Sequence, residues 1–112
     1  LFGYALALKM GVPFIAIRKT GKLPWKTVGI DYALEYGTAR IEMHADSVKP
    51  GMNVMIHDDL LATGGTAAAA AQLVQLQGGI VAAFSFVVEL DFLGGRKALL
   101  PISDKIVSLV ND

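Results

Sequence analysis

Carboxylates, glycines and threonines are concentrated in one short string near the middle of the sequence. The string DDLLATGGT, residues 58–66, follows the apolar run NVMIH and precedes the helix-forming run AAAAAQLVQLQ. A glycine-rich turn between a strand and a helix gathers free backbone N–H groups and the positive end of the helix dipole at one point. Glycines remove the Cβ atoms that would hold a phosphate away from the backbone, and threonine hydroxyls add donors. The pattern predicts an anion site formed by Thr63, Gly64, Gly65 and Thr66.

The two acids before this turn indicate what kind of anion it would bind. Asp58 and Asp59 would repel a bare phosphate, so a ligand that also carries hydroxyls or a metal explains them better. At the carboxyl end of a strand they would face ribose hydroxyls, or water on a bound Mg²⁺. An Asp-Asp pair alone is more often a solvated turn cap, but the whole string favours a phosphosugar. The nucleotide-hydrolase P-loop and the dinucleotide G-x-G-x-x-G pattern do not fit it.

Strands and helices alternate along most of the chain. Buried strands are predicted at residues 13–17, ending at Arg18, and at 53–57, 80–90 and 105–110. Helices are predicted at residues 1–10 and 67–77, the second terminated by Gly78 and Gly79, and a helix or turn at 93–100. This alternation predicts an α/β fold with a parallel sheet.

One region departs from this alternation. Residues 19–31 contain glycines, a proline and lysines without apolar periodicity, which predicts a long loop of the kind that forms lids or binding arms. Residues 32–44 alternate around Gly37, with Ile41 and Met43 on one side, and they predict a β-ribbon.

Composition excludes several classes of protein. Ten basic residues balance ten acidic ones, so the chain has no global field for nucleic acid or an acidic membrane. No apolar run approaches the roughly 20 residues needed to cross a bilayer. The absence of cysteine excludes disulfides and thiolate chemistry. Met52, Met55 and the phenylalanines of IVAAFSF are predicted core residues, and His57 a strand residue with a local hydrogen bond.

The string HDDLLATGGT resembles the 5-phosphoribosyl diphosphate (PRPP) signature of type I phosphoribosyltransferases. Its residues LLATGGT are similar to those of the family's adenine-specific members. LFG at residues 1–3, IRKTGKLP at 17–24, LEYG at 34–37 and KPG at 49–51 match in the family's order. The resemblance implies an α/β, parallel-sheet type I phosphoribosyltransferase fold with a flexible β-ribbon hood. Residues 1–112 would form a single domain that lacks the family's N-terminal segment. His57 stands where the family usually has an aliphatic residue.

The resemblance also implies a reaction and a set of site residues. Adenine N9 would attack C1′ of PRPP, giving AMP and pyrophosphate, with Mg²⁺ carried by PRPP. The 5′-phosphate and ribose would be bound by Asp58, Asp59, Ala62, Thr63, Gly64, Gly65 and Thr66. The pyrophosphate would be bound by Arg18, Lys19 and Lys22, with Tyr36 closing the site. Glu35 would be the catalytic residue that meets the purine and manages its proton.

The same resemblance implies a cytoplasmic homodimer that binds neither nucleic acid nor membrane. Two alternatives stay open at this point. A non-catalytic regulatory module that binds PRPP or a nucleotide would keep the acids and the glycines, whereas its hood would diverge. A phosphoribosyltransferase for guanine, xanthine or orotate would keep the mechanism and change the base. Retention of LEYG and of the basic loop favours an enzyme.

Overall fold

A computed structural model describes residues 15, 17–19, 26–34 and 37–112. The elements in chain order are β1 (Arg18–Lys19), β2 (Thr27–Leu34), β3 (Gly37–His44), β4 (Asn53–Leu61), α1 (Gly65–Leu76), β5 (Ile80–Glu89), a 3-10 helix (Asp91–Leu93), α2 (Gly95–Leu99) and β6 (Ile106–Asn111). They form two three-stranded sheets, one in the order β1-β3-β2 and one in the order β4-β5-β6. Among the described residues no helix is long and apolar enough to cross a membrane.

The second sheet is parallel throughout, as the alternation of strands and helices predicts. Ile56 of β4 pairs with Phe84 of β5, which pairs with Ile106 of β6. These three side chains are buried and form one layer of the core. Helix α1 contacts β4 and β5 through a face rich in alanine, whose small side chains permit close approach. The predicted helix after the glycines is confirmed, and it ends before Gly78, where φ is +84°.

Strands β2 and β3 form an antiparallel hairpin, with Thr27 paired to His44 at one end and Leu34 to Gly37 at the other. Ile41 and Met43 are each only 2% exposed, which confirms the predicted sidedness of the ribbon. The predicted loop over 19–31 is wrong at Lys19, which lies in β1, and beyond residue 26, because β2 begins at Thr27. Gly29 weakens the strand signal in the sequence. In the structure the space beside Gly29 is filled by the Arg40 guanidinium, since a Cβ there would lie 2.7 Å from Arg40 Nη2.

Two other sequence predictions need correction. Ile15 and Ile17, placed in a buried parallel strand, belong to no strand, although both pack against the core. The strand that follows them, β1, is antiparallel to β3, with Arg18 opposite Glu42. Met55 is not a core residue but is 42% exposed, because it alternates with the buried Ile56 and so points to the opposite face of β4. The predicted helix over 1–10 lies outside the described residues.

Candidate active site

An open cavity of about 220 Å³ lies where β4 ends and α1 begins. It is lined by Asp58, Leu60, Leu61 and residues 62–67. Residues 62–66, called the glycine loop below, lead from the strand into the helix, and the last two of them belong to its first turn. The structure therefore brings the predicted anion-binding residues and the first of the two acids to one cavity.

Backbone geometry at the start of α1 suits the binding of an anion. Gly64 is the N-cap with φ of +90°, a left-handed conformation that favours glycine. The first helical hydrogen bond runs from the Ala68 N–H to the Gly64 carbonyl at 2.8 Å. N–H groups in the first turn of a helix have no partner within the helix, and among the described residues no side chain caps this terminus from the N-cap position. The first three helical residues, Gly65, Thr66 and Ala67, carry such donors and line the cavity.

The two glycines of the loop have different surroundings. A Cβ on Gly64 would lie 3.0 Å from the Gly95 carbonyl oxygen and 3.2 Å from Ala98 Cβ, so this glycine permits close packing on α2. A Cβ on Gly95 would in turn collide with the Ala62 carbonyl oxygen and with Leu61. A Cβ on Gly65 would meet only Thr63 Oγ1, at 3.8 Å. Gly64 and Gly95 thus support the loop from behind, whereas Gly65 borders the open side.

The two acids lie within β4 and not at its end. The sequence prediction ended this strand at His57, but pairing with β5 continues to Leu61 opposite Glu89. Asp58 and Asp59 are both exposed, and the Asp59 N–H donates to Asp58 Oδ1 at 2.8 Å. Successive side chains of a strand point to opposite faces, and of the two only Asp58 lines the described cavity.

Within the described residues, a side-chain hydrogen bond joins the hairpin to the glycine loop. The hydroxyl of Tyr32 in β2 lies 3.2 Å from Oγ1 of Thr66, and either oxygen can be the donor. Sequence reasoning did not identify Tyr32, because the two residues are 34 positions apart and no local pattern joins them. Glu35 and Tyr36, predicted to act on the purine and to close the site, fall between β2 and β3, outside the described part of the chain. Lys22 also falls outside it.

Arg18 and Lys19, two of the predicted pyrophosphate ligands, lie beside the hairpin. They form β1, which pairs with β3 along the edge that β2 leaves open. These two residues are therefore paired with the same hairpin that contacts the glycine loop. His57 lies in β4 as predicted, and its Nδ1 lies 3.2 Å from Ser85 Oγ, which is on the neighbouring strand and 28 positions away along the chain.

An ion pair between Arg96 and the buried carboxylate of Glu89 connects α2 to β5. Glu89, at the end of β5, is 3% exposed. Arg96 Nη2 donates to Glu89 Oε1 at 2.7 Å and Arg96 Nε to Oε2 at 3.1 Å, while Ser108 Oγ donates to Oε1 at 2.9 Å. Hydrogen bonding to Arg96 lowers the pKa of the Glu89 carboxyl. This pair was not predicted. The sequence indicates it only through an acid at the end of an apolar strand and an arginine seven residues later.

A parallel α/β sheet whose first strand leads through a glycine loop into a helix, beside an antiparallel hairpin, is the type I phosphoribosyltransferase fold. No protein-family model matches the chain. Curated proteins and solved structures do match it, and all of those compared below carry the same name.

The adenine phosphoribosyltransferase of Cytophaga hutchinsonii is 54% identical over 110 residues, which cover 98% of this chain and 61% of that protein. The crystal structure of adenine phosphoribosyltransferase from Thermoanaerobacter pseudethanolicus superposes with a TM-score of 0.92 at 50% identity, covering 99% of this chain and 63% of that one. The Saccharomyces cerevisiae adenine phosphoribosyltransferase, complexed with an imino-altritol bisphosphate and adenine, superposes with a TM-score of 0.87 at 42% identity. The match covers 96% of this chain and 60% of that one. This chain is similar to adenine phosphoribosyltransferases over nearly all of its own length, and it spans about three fifths of the length of these relatives.

Proposed function

We propose that the natural full-length protein transfers the 5-phosphoribosyl group of PRPP to adenine, releasing pyrophosphate and forming AMP. The observation that carries this proposal is the juxtaposition of Asp58, the glycine loop and the start of α1 around one cavity. Similarity to the relatives compared above supports the choice of adenine, since they are named for that base. The yeast relative was crystallised with adenine itself.

The glycine loop would bind the 5′-phosphate. Backbone N–H groups of the first helical turn and the hydroxyls of Thr63 and Thr66 are donors suited to phosphate oxygens. The open space beside Gly65 lets a phosphate approach the backbone within hydrogen-bonding distance. Because Ala62 is supported by Gly95, the loop would bind the phosphate without rearranging.

The acids would bind the ribose and the metal that accompanies PRPP. An ionised carboxylate accepts hydrogen bonds from the 2′- and 3′-hydroxyls of a ribose. Asp58 is exposed, lines the cavity and lies close enough to the glycine loop to share one ligand with it. Carboxylate oxygens also suit the water shell of Mg²⁺, which would enter as part of the Mg²⁺-PRPP substrate. Asp59 does not line the described cavity, and its assignment to the same ligand rests on the family resemblance.

The remaining roles follow from the family resemblance. Arg18, Lys19 and Lys22 would neutralise the departing pyrophosphate, and Tyr36 would help to close the site. In the displacement the bond from C1′ to the diphosphate oxygen breaks as the bond from C1′ to adenine N9 forms. Glu35 would hydrogen-bond the purine and manage the proton that N9 loses. A homodimer and a cytoplasmic location are further predictions of the same proposal.

The direct test is AMP formation by the natural full-length protein supplied with Mg²⁺, PRPP and one base at a time. We expect AMP from adenine and little or no nucleotide from guanine, xanthine or orotate. The matched control is the double variant Asp58→Asn, Asp59→Asn, which removes two exposed charges and should fold normally without forming AMP. Nucleotide formation from another base in preference to adenine would overturn the assignment of the base. Binding of PRPP without product from any base would indicate a regulatory module instead.

A further inference from the structure

The hydrogen bond between Tyr32 and Thr66 joins two parts of the molecule that the proposed reaction must coordinate. Thr66 belongs to the glycine loop, and Tyr32 belongs to β2, three residues before Glu35. Both residues are half-buried, and Tyr32 packs against the core. Helix α1 and β2 also contact each other. The loop and the hairpin are therefore linked by a defined polar contact of 3.2 Å as well as by packing.

A hydroxyl has one proton to donate, and this limits what the pair can do when a phosphate arrives. In the contact as observed either oxygen can be the donor. A phosphate oxygen only accepts at the loop, so Thr66 must direct its own proton to the phosphate. The Thr66 oxygen can then only accept from Tyr32, which fixes the direction of the chain from Tyr32 through Thr66 to the phosphate. Hydrogen bonds arranged in such a chain polarise and strengthen one another.

We propose that Tyr32 is a positioning residue that orients the Thr66 hydroxyl toward the 5′-phosphate and couples phosphate binding to the hairpin. The proposal rests on the proposed function, since it assumes that the glycine loop binds a 5′-phosphate. Tyr32 does not touch the reacting atoms. Its effect on the ligand passes through Thr66.

A merely structural role for Tyr32 would reside in its ring, which packs against the core. Tyr32→Phe keeps the ring and removes only the hydroxyl, so it separates the two roles. Thr66→Val likewise keeps the shape of the side chain and removes the hydroxyl. These two variants and their combination form a double-mutant cycle. Ser103→Ala is the matched control, because Ser103 also donates a long-range hydrogen bond, to the Ala82 carbonyl at 3.1 Å, away from the cavity.

The measurement is the affinity of each natural full-length variant for AMP by titration calorimetry, with adenine as a ligand that lacks the phosphate. Tyr32→Phe should weaken AMP binding about 3- to 10-fold, the range expected for loss of one hydrogen bond, and leave adenine binding unchanged. Thr66→Val should weaken AMP binding at least as much. The double variant should be no weaker than Thr66→Val, because Tyr32 acts through Thr66. Ser103→Ala should bind AMP normally.

Hydrogen exchange tests the link to the hairpin in the same proteins. AMP should slow exchange of the β2 amides in the unaltered protein and slow it much less in Tyr32→Phe. Unchanged AMP affinity in Tyr32→Phe, or fully additive losses in the double variant, would overturn the inference while the proposed function stands. If the unaltered protein binds neither AMP nor PRPP, the proposed function fails and this inference fails with it. Melting temperatures close to that of the unaltered protein establish that each variant is folded.

Discussion

Arg96 holds the buried carboxylate of Glu89 with two hydrogen bonds, of 2.7 and 3.1 Å, and this pair fixes α2 behind the glycine loop. Arg96 Nη1 also donates to the Ile106 carbonyl oxygen at 2.8 Å, so one guanidinium ties α2 to β5 and β6. Gly95, the residue before Arg96, packs against the Ala62 carbonyl. The position of the glycine loop thus depends on an ion pair that lies outside the cavity.

Replacing Arg96 with methionine should destabilise the protein. The variant leaves the Glu89 carboxylate, 3% exposed, without its charged partner. Loss of one partner of a fully buried pair costs about 3–5 kcal/mol. Because the Arg96 side chain is 39% exposed and solvent screens the pair, we expect about 2 kcal/mol. Urea unfolding measures the loss, with Lys97→Met as the control at an exposed position of the same helix. Equal stability of the two variants would contradict the role of the pair.

The difference in stability between the unaltered protein and Arg96→Met should depend on pH. Hydrogen bonding to Arg96 lowers the pKa of the Glu89 carboxyl below its ordinary value, so the stability that this carboxylate contributes is present above the ordinary pKa and is lost as pH falls through the lowered pKa. In Arg96→Met burial favours the protonated carboxyl instead. The difference in unfolding free energy between the two proteins should therefore be large at neutral pH and shrink in acid. A difference that stays constant with pH would assign the loss to packing of the arginine stem.

Alanine substitutions at two glycines should separate binding from folding. Gly65→Ala places a methyl group in open space beside the cavity, so it should leave stability nearly unchanged and weaken AMP binding at least about tenfold. Gly95→Ala forces a methyl group against the Ala62 carbonyl and Leu61, and overpacking of this kind costs about 1–3 kcal/mol. Thermal unfolding and AMP titration of both variants make the comparison. Normal AMP affinity in Gly65→Ala would show that the phosphate binds elsewhere.

Glu35, the predicted catalytic residue, should affect chemistry more than substrate binding. A positioned proton-handling group contributes on the order of 10² to 10⁴ in rate. Glu35→Gln should lower the rate of AMP formation far more than the affinity for PRPP, and Glu35→Leu should be slower still because it cannot hydrogen-bond the purine. Single-turnover measurements are needed, since slow product release can conceal a chemical defect. An unchanged single-turnover rate in both variants would leave catalysis to positioning, Mg²⁺ and the basic segment.

The sequence predicts the central β4-α1-β5 unit well because its signals are local. Apolar strand runs, an alanine-rich helix and Gly78 at the helix end each determine structure over a few residues. The start of β2 is not predicted, because Gly29 suggests a loop. Gly29 leaves space for the Arg40 guanidinium, which becomes its neighbour only when β2 pairs with β3. The exposure of Met55 depends similarly on which face of the sheet α1 covers.

The candidate site likewise has one part that a local sequence pattern predicts and another part that only tertiary packing forms. The glycine loop and Asp58 are contiguous in sequence, so their types and spacing predict a shared ligand. Gly95 supports Ala62 from 33 positions away along the chain, and Tyr32 meets Thr66 only after the hairpin docks on α1. Contacts of this kind arise from sheet register and helix packing, which no local pattern specifies.

The central claim is that the glycine loop and the start of α1 bind the 5′-phosphate. It is tested most directly by following backbone amide resonances of the natural full-length protein during titration with ribose 5-phosphate. Amides of the loop and first helical turn, from Gly64 to Ala67, should shift most, because their N–H groups donate to the phosphate. Ribose without phosphate should leave them unmoved. Saturable binding of ribose 5-phosphate with these amides unchanged, and the largest shifts elsewhere, would contradict the account.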